Sequence, residues 1–271
     1  MQEIVGDSLA RRLVEWGVDT VFGLPGDGIN GLMEGFRRQR EKLKFVLVHH
    51  EEAAAFMATG YAKATGRLGV CAATSGPGAI HLLNGLYDAK LDHMPVLAIT
   101  GMQETSVLGA HYQQEVHTEL LYQDVAAYNL MVTNPQQVPG VVDIAIRHAL
   151  AMRTVAHLTF PNDVQVAAAG EDPYRSLSPG KPPMSSPVAS QPAVPAAQAD
   201  LARAAEVLNA GRKVAMLVGI GARHARDEII AVAEALASPI VKTLSGKMVV
   251  PDDHPLTTGG LGLAIDRKSV V

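Results

Sequence analysis

The sequence predicts an α/β protein: a doubly wound parallel sheet followed by a partial second α/β domain. Three observations carry this. Apolar runs of strand length alternate with helical patterns through residues 1–160. Glycine-rich turns follow several of those runs. A proline- and serine-rich stretch then interrupts the rhythm, and a new β–α alternation begins beyond it.

Leu9, Leu13 and Trp16 recur at i, i+4 and i+7, the spacing of one helix face. Residues 20–23 form a short strand that runs into Gly23-Leu24-Pro25-Gly26-Asp27-Gly28. Residues 45–48 are a second strand, and a helix from about Glu51 should stop at Gly66, a residue suited to a left-handed C-cap. Residues 69–74 and 96–99 are the third and fourth strands. Asn134-Pro135 breaks the chain before a helix through Val138, Val142, Ile146 and Leu150, and residues 155–160 close the segment. Strands that are apolar throughout need cover on both faces, which is the signature of a parallel sheet. Residues 170–197 carry 7 of the 16 prolines, and proline removes backbone donors and resists helix, so this reads as a surface linker. After it come a helix over 197–209, a strand over 213–218, the turn Gly219-Ile220-Gly221, a helix over 226–237 and a strand over 239–241. The expected domains are therefore 1–169, a linker 170–197, and an incomplete domain over 198–271.

Composition narrows the function classes. With 23 basic and 27 acidic residues the net charge is −4, which disfavours nucleic acid or anionic membrane as the main partner. Hydrophobic residues reach 48% while aromatics are 4%, so the core must be aliphatic, with few stacking platforms for single-stranded nucleic acid. Cys71 is the single cysteine, which excludes an intrachain disulfide and a Cys-rich metal site and fits a reducing, cytoplasmic setting. Met1-Gln2-Glu3-Ile4 does not open a signal peptide, and no apolar run approaches about 18 residues, so no transmembrane segment is expected.

Four segments could carry chemistry. The turn through Gly26 precedes a helix, where glycine permits close approach of a ligand and the helix N-terminus favours negative charge. A plain tight turn explains it equally well. His49-His50-Glu51-Glu52 lies at the carboxyl end of the second strand, the edge where open α/β sheets bind ligands. Acidic residues in a first helical turn also complement the helix dipole without any further role. The ten histidines show no HExxH or i, i+4 pair, so no metal site is expected from this segment alone. Ser75-Gly76-Pro77-Gly78 and Gly219-Ile220-Gly221-Ala222 begin as G-x-G, but His81 and His224 stand at the third-glycine position, a weak match to the dinucleotide fingerprint.

Together, the order and spacing of these segments resemble the thiamine diphosphate (ThDP)-dependent enzymes acting on 2-oxo acids, such as pyruvate oxidase and acetolactate synthase. The resemblance rests on Val21-Phe22-Gly23-Leu24-Pro25-Gly26, Val48-His49-His50-Glu51-Glu52-Ala53, Gly60-Tyr61-Ala62, Ala73-Thr74-Ser75-Gly76-Pro77-Gly78, Asn84-Gly85-Leu86, residues 95–101 and Gln114-Glu115. Residues 26–32 and 122–129 look most like the pyruvate oxidases and quinone-linked pyruvate dehydrogenases. The resemblance implies the ThDP pyrimidine-binding fold for the first domain and an FAD-type central domain for the second.

It also implies roles. Glu51 would hydrogen-bond the aminopyrimidine and favour the imino form that deprotonates the thiazolium carbon. Pro25, Gly26, Thr74, Gly76 and Asn84 would surround the pyrimidine, Gln114 would line the substrate pocket, and Gly219, Gly221 and Ala222 would contact FAD. Many relatives have phenylalanine before that glutamine; Gln113 here predicts a more polar pocket. Mg²⁺ is expected from a C-terminal domain and not from this chain: Gly26-Asp27-Gly28 imitates the family's diphosphate motif in the wrong domain, and no asparagine lies between Asn30 and Asn84. Residues 266–271 depart from the family pattern. The isolated chain is thus expected to be inactive, and the active site to lie between subunits of a homodimer or homotetramer. The implied reaction is decarboxylation of pyruvate or a similar 2-oxo acid with oxidation through the flavin. An acetolactate synthase-type carboligase is the alternative, and a non-catalytic nucleotide-binding or subunit-interaction module is the alternative of another class. The linker reading has a direct consequence: limited proteolysis should cut within 170–197 first, and early cuts inside 1–160 instead would show the boundary to be misplaced.

Overall fold

The computed structural model describes residues 2–170, 186–188 and 195–262. The chain divides into two compact units, Met1–Gln191 and Pro192–Val271. In the first, α1 (Val5–Glu15), β1 (Thr20–Leu24), α2 (Asn30–Arg38), β2 (Lys44–Leu47), α3 (Glu51–Thr65) and β3 (Gly69–Ala73) follow one another. Then come α4 (Pro77–Leu91), β4 (Val96–Met102), α5 (Thr118–Leu121), β5 (Ala126–Met131), α6 (Val138–Met152), β6 (Val155–Pro161) and α7 (Asn162–Val166).

The strands form a six-stranded sheet in the order β2-β1-β3-β4-β6-β5, parallel throughout. Every residue of β3, β4 and β6 is buried, so these strands are covered on both faces. Residues of α1, α2 and α6 share one apolar cluster with β3, β4 and β6, while α3 packs on α4 and against β1 and β3. This is the doubly wound arrangement that the alternating apolar runs predict. The chain steps outward from β1 to β2 and then returns across β1 to β3. The switch point between β1 and β3 is where such sheets bind ligands, beyond the carboxyl ends of the strands.

Two sequence expectations need correction in this unit. The edge strand β5 was not anticipated, because Ala126-Ala127-Tyr128-Asn129 has no continuous apolar run and the strand is only partly buried. Helix α1 ends at Glu15, one residue before Trp16. Trp16 is the C-cap: its backbone N–H still bonds the Arg12 carbonyl at 3.1 Å, its ring packs against the core that holds Leu9 and Leu13, and its indole donates to Asp143 Oδ1 at 2.7 Å.

The second unit contains α8 (Gln198–Ala210), β7 (Met216–Val218), α9 (Arg226–Ala235), β8 (Ile240–Thr243) and β9 (Thr257–Leu261). Its three strands are parallel in the order β7-β8-β9, over a small core that includes Val218, Ala233 and Ile240. Strand β7 begins at Met216, not at 213, and β9 has no counterpart in the sequence reading, since Thr257-Thr258-Gly259-Gly260-Leu261 lacks an apolar run. Of the expected linker, residues 171–185 and 189–194 lie outside the described residues. Among the described residues no helix is long and apolar enough to cross a membrane.

Two buried polar clusters tie the first unit together. Asp143 on α6 is fully buried, and its carboxylate accepts from Arg12 Nε at 2.8 Å, Arg12 Nη2 at 2.6 Å and the Trp16 indole. His157 on β6 is also fully buried and stacks on Tyr122, with ring centroids 3.7 Å apart. Its Nδ1 donates to Asn129 Oδ1 at 2.7 Å and its Nε2 accepts from Thr100 Oγ1 at 2.8 Å. Burial pushes this imidazole down to about 3.

Both clusters should be visible in stability measurements. Asp143→Ala leaves the Arg12 guanidinium without its buried counter-charge and should cost about 3–5 kcal/mol in urea denaturation. A loss below about 1 kcal/mol would show that the pair contributes little. His157 is neutral in the fold but takes a proton in the unfolded chain below about pH 6.5. Its contribution is therefore complete above that pH and is lost as pH falls toward about 3. Stability should drop by at most about 1.4 kcal/mol per pH unit over this window. His157→Gln should flatten that dependence.

Candidate functional site

Three strand ends meet at the switch point. After β1 the chain passes through exposed Pro25 into Gly26, which lies directly against Thr74: a Cβ on Gly26 would stand 2.7 Å from the threonine Cβ. Thr74 Oγ1 accepts the Gly28 N–H at 3.1 Å. From the other side, fully buried Gln165 donates its amide to the carbonyl oxygens of Gly28 (2.7 Å) and Phe160 (2.8 Å). The turn is thus held between the end of β3 and α7. Asp27 is exposed on it, and among the described residues no group of three His, Cys, Asp or Glu side chains able to share an ion includes it.

After β2, Glu51 opens α3. His50 caps the helix, its Nδ1 accepting the Glu52 N–H at 3.2 Å. Glu51 is 7% exposed, and its Oε2 lies 2.9 Å from Nδ1 of His81 on α4. The rings of His50 and His81 stack with centroids 4.5 Å apart. Glu52 points elsewhere and accepts from the Asn84 side-chain amide. The adjacent carboxylates therefore have different partners three residues apart on α4, one buried and one nearer solvent. The two helices can approach this closely because of Gly85, where a Cβ would sit 2.6 Å from Ala55 Cβ and the Phe56 nitrogen. Thr59 Oγ1 lies within 2.9 Å of the Ala55 carbonyl and 3.1 Å of the Gly85 carbonyl, fastening the crossing.

After β3, Gly76 caps α4 with φ +59° and ψ −115°, a conformation closed to side chains. A Cβ there would also stand 2.7 Å from the Gln114 carbonyl oxygen, so Gln114 rests directly on Gly76. Gln114 itself has φ +61°. Its Oε1 accepts from Ser75 Oγ at 3.3 Å, and Ser75 in turn accepts from Gln103 Nε2 at 3.2 Å. Residues 109–115 are closed by Glu115, which accepts the N–H groups of Gly109 (2.6 Å) and Tyr112 (3.2 Å). Those backbone donors, Gly109 first, hold its carboxyl below the usual range. Gly78 links the parts: Thr74 Cγ2 and Glu51 Oε1 lie 2.8 and 3.4 Å from where its Cβ would stand.

Gly26, Thr74, Glu51, Gly76 and Gln114 therefore gather at one sheet edge. Asn84 stands three residues beyond His81 on α4, beside Glu52. Sequence reasoning missed His81, because its partner is 30 residues away and no local spacing marks it. It also missed Gln165, a polar residue in a short helix whose burial no periodicity reveals. Cys71, at the centre of β3, is fully buried with its thiol pushed up to about 12, so it is no nucleophile. The chemistry available here is that of a buried carboxylate hydrogen-bonded to an imidazole, among glycine turns packed too closely for side chains.

In the second unit Gly219 ends β7, and Ile220–Ala222 form a 3-10 turn. A Cβ on Gly219 would be 3.7 Å from Thr243 Oγ1. Thr243 lines a cleft of about 450 Å³ with Lys242, Lys247, Asp252, Gly260 and Gly262. It lies at the carboxyl ends of β8 and β9.

Residues 4–121 match the thiamine pyrophosphate enzyme N-terminal TPP binding domain, and residues 201–270 match the thiamine pyrophosphate enzyme central domain. The Bacillus subtilis protein YdaP is 40% identical over 257 residues, covering 95% of this chain and 43% of that protein. Pyruvate oxidase of Lactiplantibacillus plantarum is 36% identical over 259 residues, covering 94% of this chain and 41% of that enzyme. The acetolactate synthase large subunit of Corynebacterium glutamicum is 35% identical over 260 residues, covering 94% and 40%. The chain spans less than half the length of these three relatives. Two domain matches in the family's order, on a sheet whose switch point carries the glycine cradle and the buried glutamate, place this chain in the family of thiamine pyrophosphate-dependent enzymes that act on 2-oxo acids.

Proposed function

We propose that this chain supplies the aminopyrimidine side of a ThDP site in an enzyme of pyruvate oxidase type. The observation that carries the reading is Glu51: a buried carboxylate at the switch point, beside a cradle of backbone that side chains cannot fill. When bound, ThDP supplies a nucleophilic thiazolium carbon that also serves as the electron sink for decarboxylation.

The protein's own part is to position groups and handle a proton. The Glu51 carboxyl would be the group that hydrogen-bonds a pyrimidine ring nitrogen, and its burial would strengthen that contact by excluding water. His81 holds the carboxyl through the 2.9 Å contact of its Nδ1 with Oε2. Gly26, Thr74 and Gly76, with Pro25, bring main chain to the ring's edge, and Asn84 borders the same mouth through Glu52. Gln114 faces the substrate. Its carbonyl oxygen is engaged by Ser75, which leaves its N–H groups for the carboxylate or keto oxygen of a small 2-oxo acid such as pyruvate. The Asp27 turn does not fit the Mg²⁺ that accompanies the diphosphate, so that ion belongs to a part of the site other than this chain.

In the second unit we assign FAD to the turn at Gly219, Gly221 and Ala222. The open backbone at Gly219, where a Cβ would meet only Thr243 Oγ1 at 3.7 Å, and the cleft that Thr243 lines support this. An FAD held there would supply the electron acceptor for the oxidation that follows decarboxylation. Carboligation, as in an acetolactate synthase, would use the same Glu51 and the same cradle. The reading includes a cytoplasmic homo-oligomer whose active site is completed by another subunit.

The test is a pair of substitutions in the holoenzyme. Glu51→Gln keeps the shape but removes the acid, and should lower turnover of pyruvate by about 10²–10⁴-fold. Glu52→Gln removes a charge that faces Asn84 and His50 at the rim and should be far milder. Equal effects, or a larger one at Glu52, would overturn the assignment.

A further inference from the structure

We infer that Glu115 is a positioning residue for the substrate: its carboxylate holds the backbone of Gln114 in the pose from which the Gln114 amide meets a small 2-oxo acid. This rests on the substrate role proposed for Gln114. Glu115 acts through its neighbour, because both of its carboxylate oxygens are engaged by N–H groups of the loop's own backbone.

The backbone around Gln114 is costly to hold. The Glu115 N–H donates to the Tyr112 carbonyl at 3.1 Å, which closes a turn over Tyr112–Glu115 with Gln113 and Gln114 at its centre. Gln114 has φ +61° at the third position of that turn, where a left-handed backbone suits Gly or Asn. His111, just before the turn, has φ +57°, and Gly109 has φ +82°. Glycine adopts this region freely, whereas His111 and Gln114 carry side chains that resist it. Such a loop persists only where its surroundings over-determine it. Glu115 does this by accepting the Gly109 N–H at 2.6 Å and the Tyr112 N–H at 3.2 Å. The Tyr112 contact runs opposite to the backbone bond between the same two residues, so one residue pair closes the turn twice. Hydrogen bonds to an ionised carboxylate are among the stronger ones. The Gly109 N–H first, then that of Tyr112, keeps this carboxyl below the usual range and so ionised at neutral pH.

The left-handed pose also sets what Gln114 touches. A Cβ on Gly76 would stand 2.7 Å from the Gln114 Cβ, and Ser75 Oγ donates to its Oε1 at 3.3 Å. A turn relaxed to negative φ at Gln114 would redirect that Cβ and break both contacts. A residue chosen for the turn alone would be Gly or Asn. Glutamine there gives up backbone ease for an amide of longer reach, which is the kind of local conflict expected at a functional position. The neighbouring carboxylate is what makes the exchange sustainable.

The test combines two readouts. In the holoenzyme, Glu115→Ala should raise KM for pyruvate at least about fivefold while kcat stays within about twofold, the pattern of a lost binding contact. Glu115→Gln keeps one acceptor at the same reach and should fall between the two. Gln114→Ala should show the same KM-dominated pattern, and Glu104→Gln, at an exposed carboxylate earlier in the loop, should change nothing. In the purified chain, with neither cofactor nor substrate, hydrogen–deuterium exchange of peptides spanning 109–115 should quicken at least about threefold in Glu115→Ala, with β3 and α4 unaltered. Unchanged KM in Glu115→Ala where Gln114→Ala raises it, or unaltered exchange across 109–115, would overturn the inference. A fall in kcat with faster exchange throughout the first unit would also overturn it, since that marks general structural damage. If Gln114→Ala left KM unaltered, the substrate role of Gln114 would fall first and the positioning role with it, while the exchange result would still show whether Glu115 closes the loop.

Discussion

The site depends on how closely α3 and α4 cross. Ala55 and Gly85 meet with no room for another carbon, and Thr59 bonds both backbones at that point. Such a contact is short-ranged and unforgiving, because packed interiors do not absorb a displaced helix by smooth deformation. Since side chains three and four residues apart share a helix face, fixing the crossing also fixes which residues of α4 face the head of α3. His81 reaches Glu51, and Asn84 reaches Glu52. The difference between two consecutive glutamates, one buried and one at the rim, is therefore set about one turn or more away, by a contact made almost wholly of backbone and methyl groups.

A second constraint acts across the sheet. The Gly26–Gly28 turn is bonded on one side to Thr74 and on the other to Gln165, so the end of β1 is fastened to both β3 and α7. Gly76 and Gln114 stack in conformations that would be strained elsewhere. The mouth is thus built from strand ends and helix starts whose positions are already over-determined. Such pre-organisation suits the role proposed for the Glu51 carboxyl.

Much of this architecture was legible in the sequence. The buried strands of the first unit stood out because each is a continuous apolar run, and Gly66 marked the end of α3 by its left-handed cap. The glutamate and the glycine turns were placed by their order along the chain. What escaped has a common physical cause. Strands β5 and β9 are partly exposed or glycine-rich, so they lack the apolar signature of a buried strand. His81, Gln165 and the Ser75–Gln103 pair act through partners 28 to 137 residues away. Pairings of that kind are products of the fold, and no periodicity in the sequence encodes them. Trp16 satisfied helical spacing yet serves as a hydrogen-bond donor to Asp143, because a buried indole N–H must find an acceptor.

The Arg12–Asp143 pair has a consequence for synthesis. Its two residues are separated by 131 positions. At about 5–20 residues per second, the first helix leaves the ribosome roughly 7 to 26 s before its partner on α6 exists. During that interval the apolar face of α1, with Leu9 and Leu13, has α2 to pack against but not α6. Strand β6 likewise arrives last in the sheet, yet it inserts between β4 and β5. Closure of the nascent sheet must therefore wait for this late strand, which leaves a long window in which β4 presents an open edge to chaperones or to neighbouring chains.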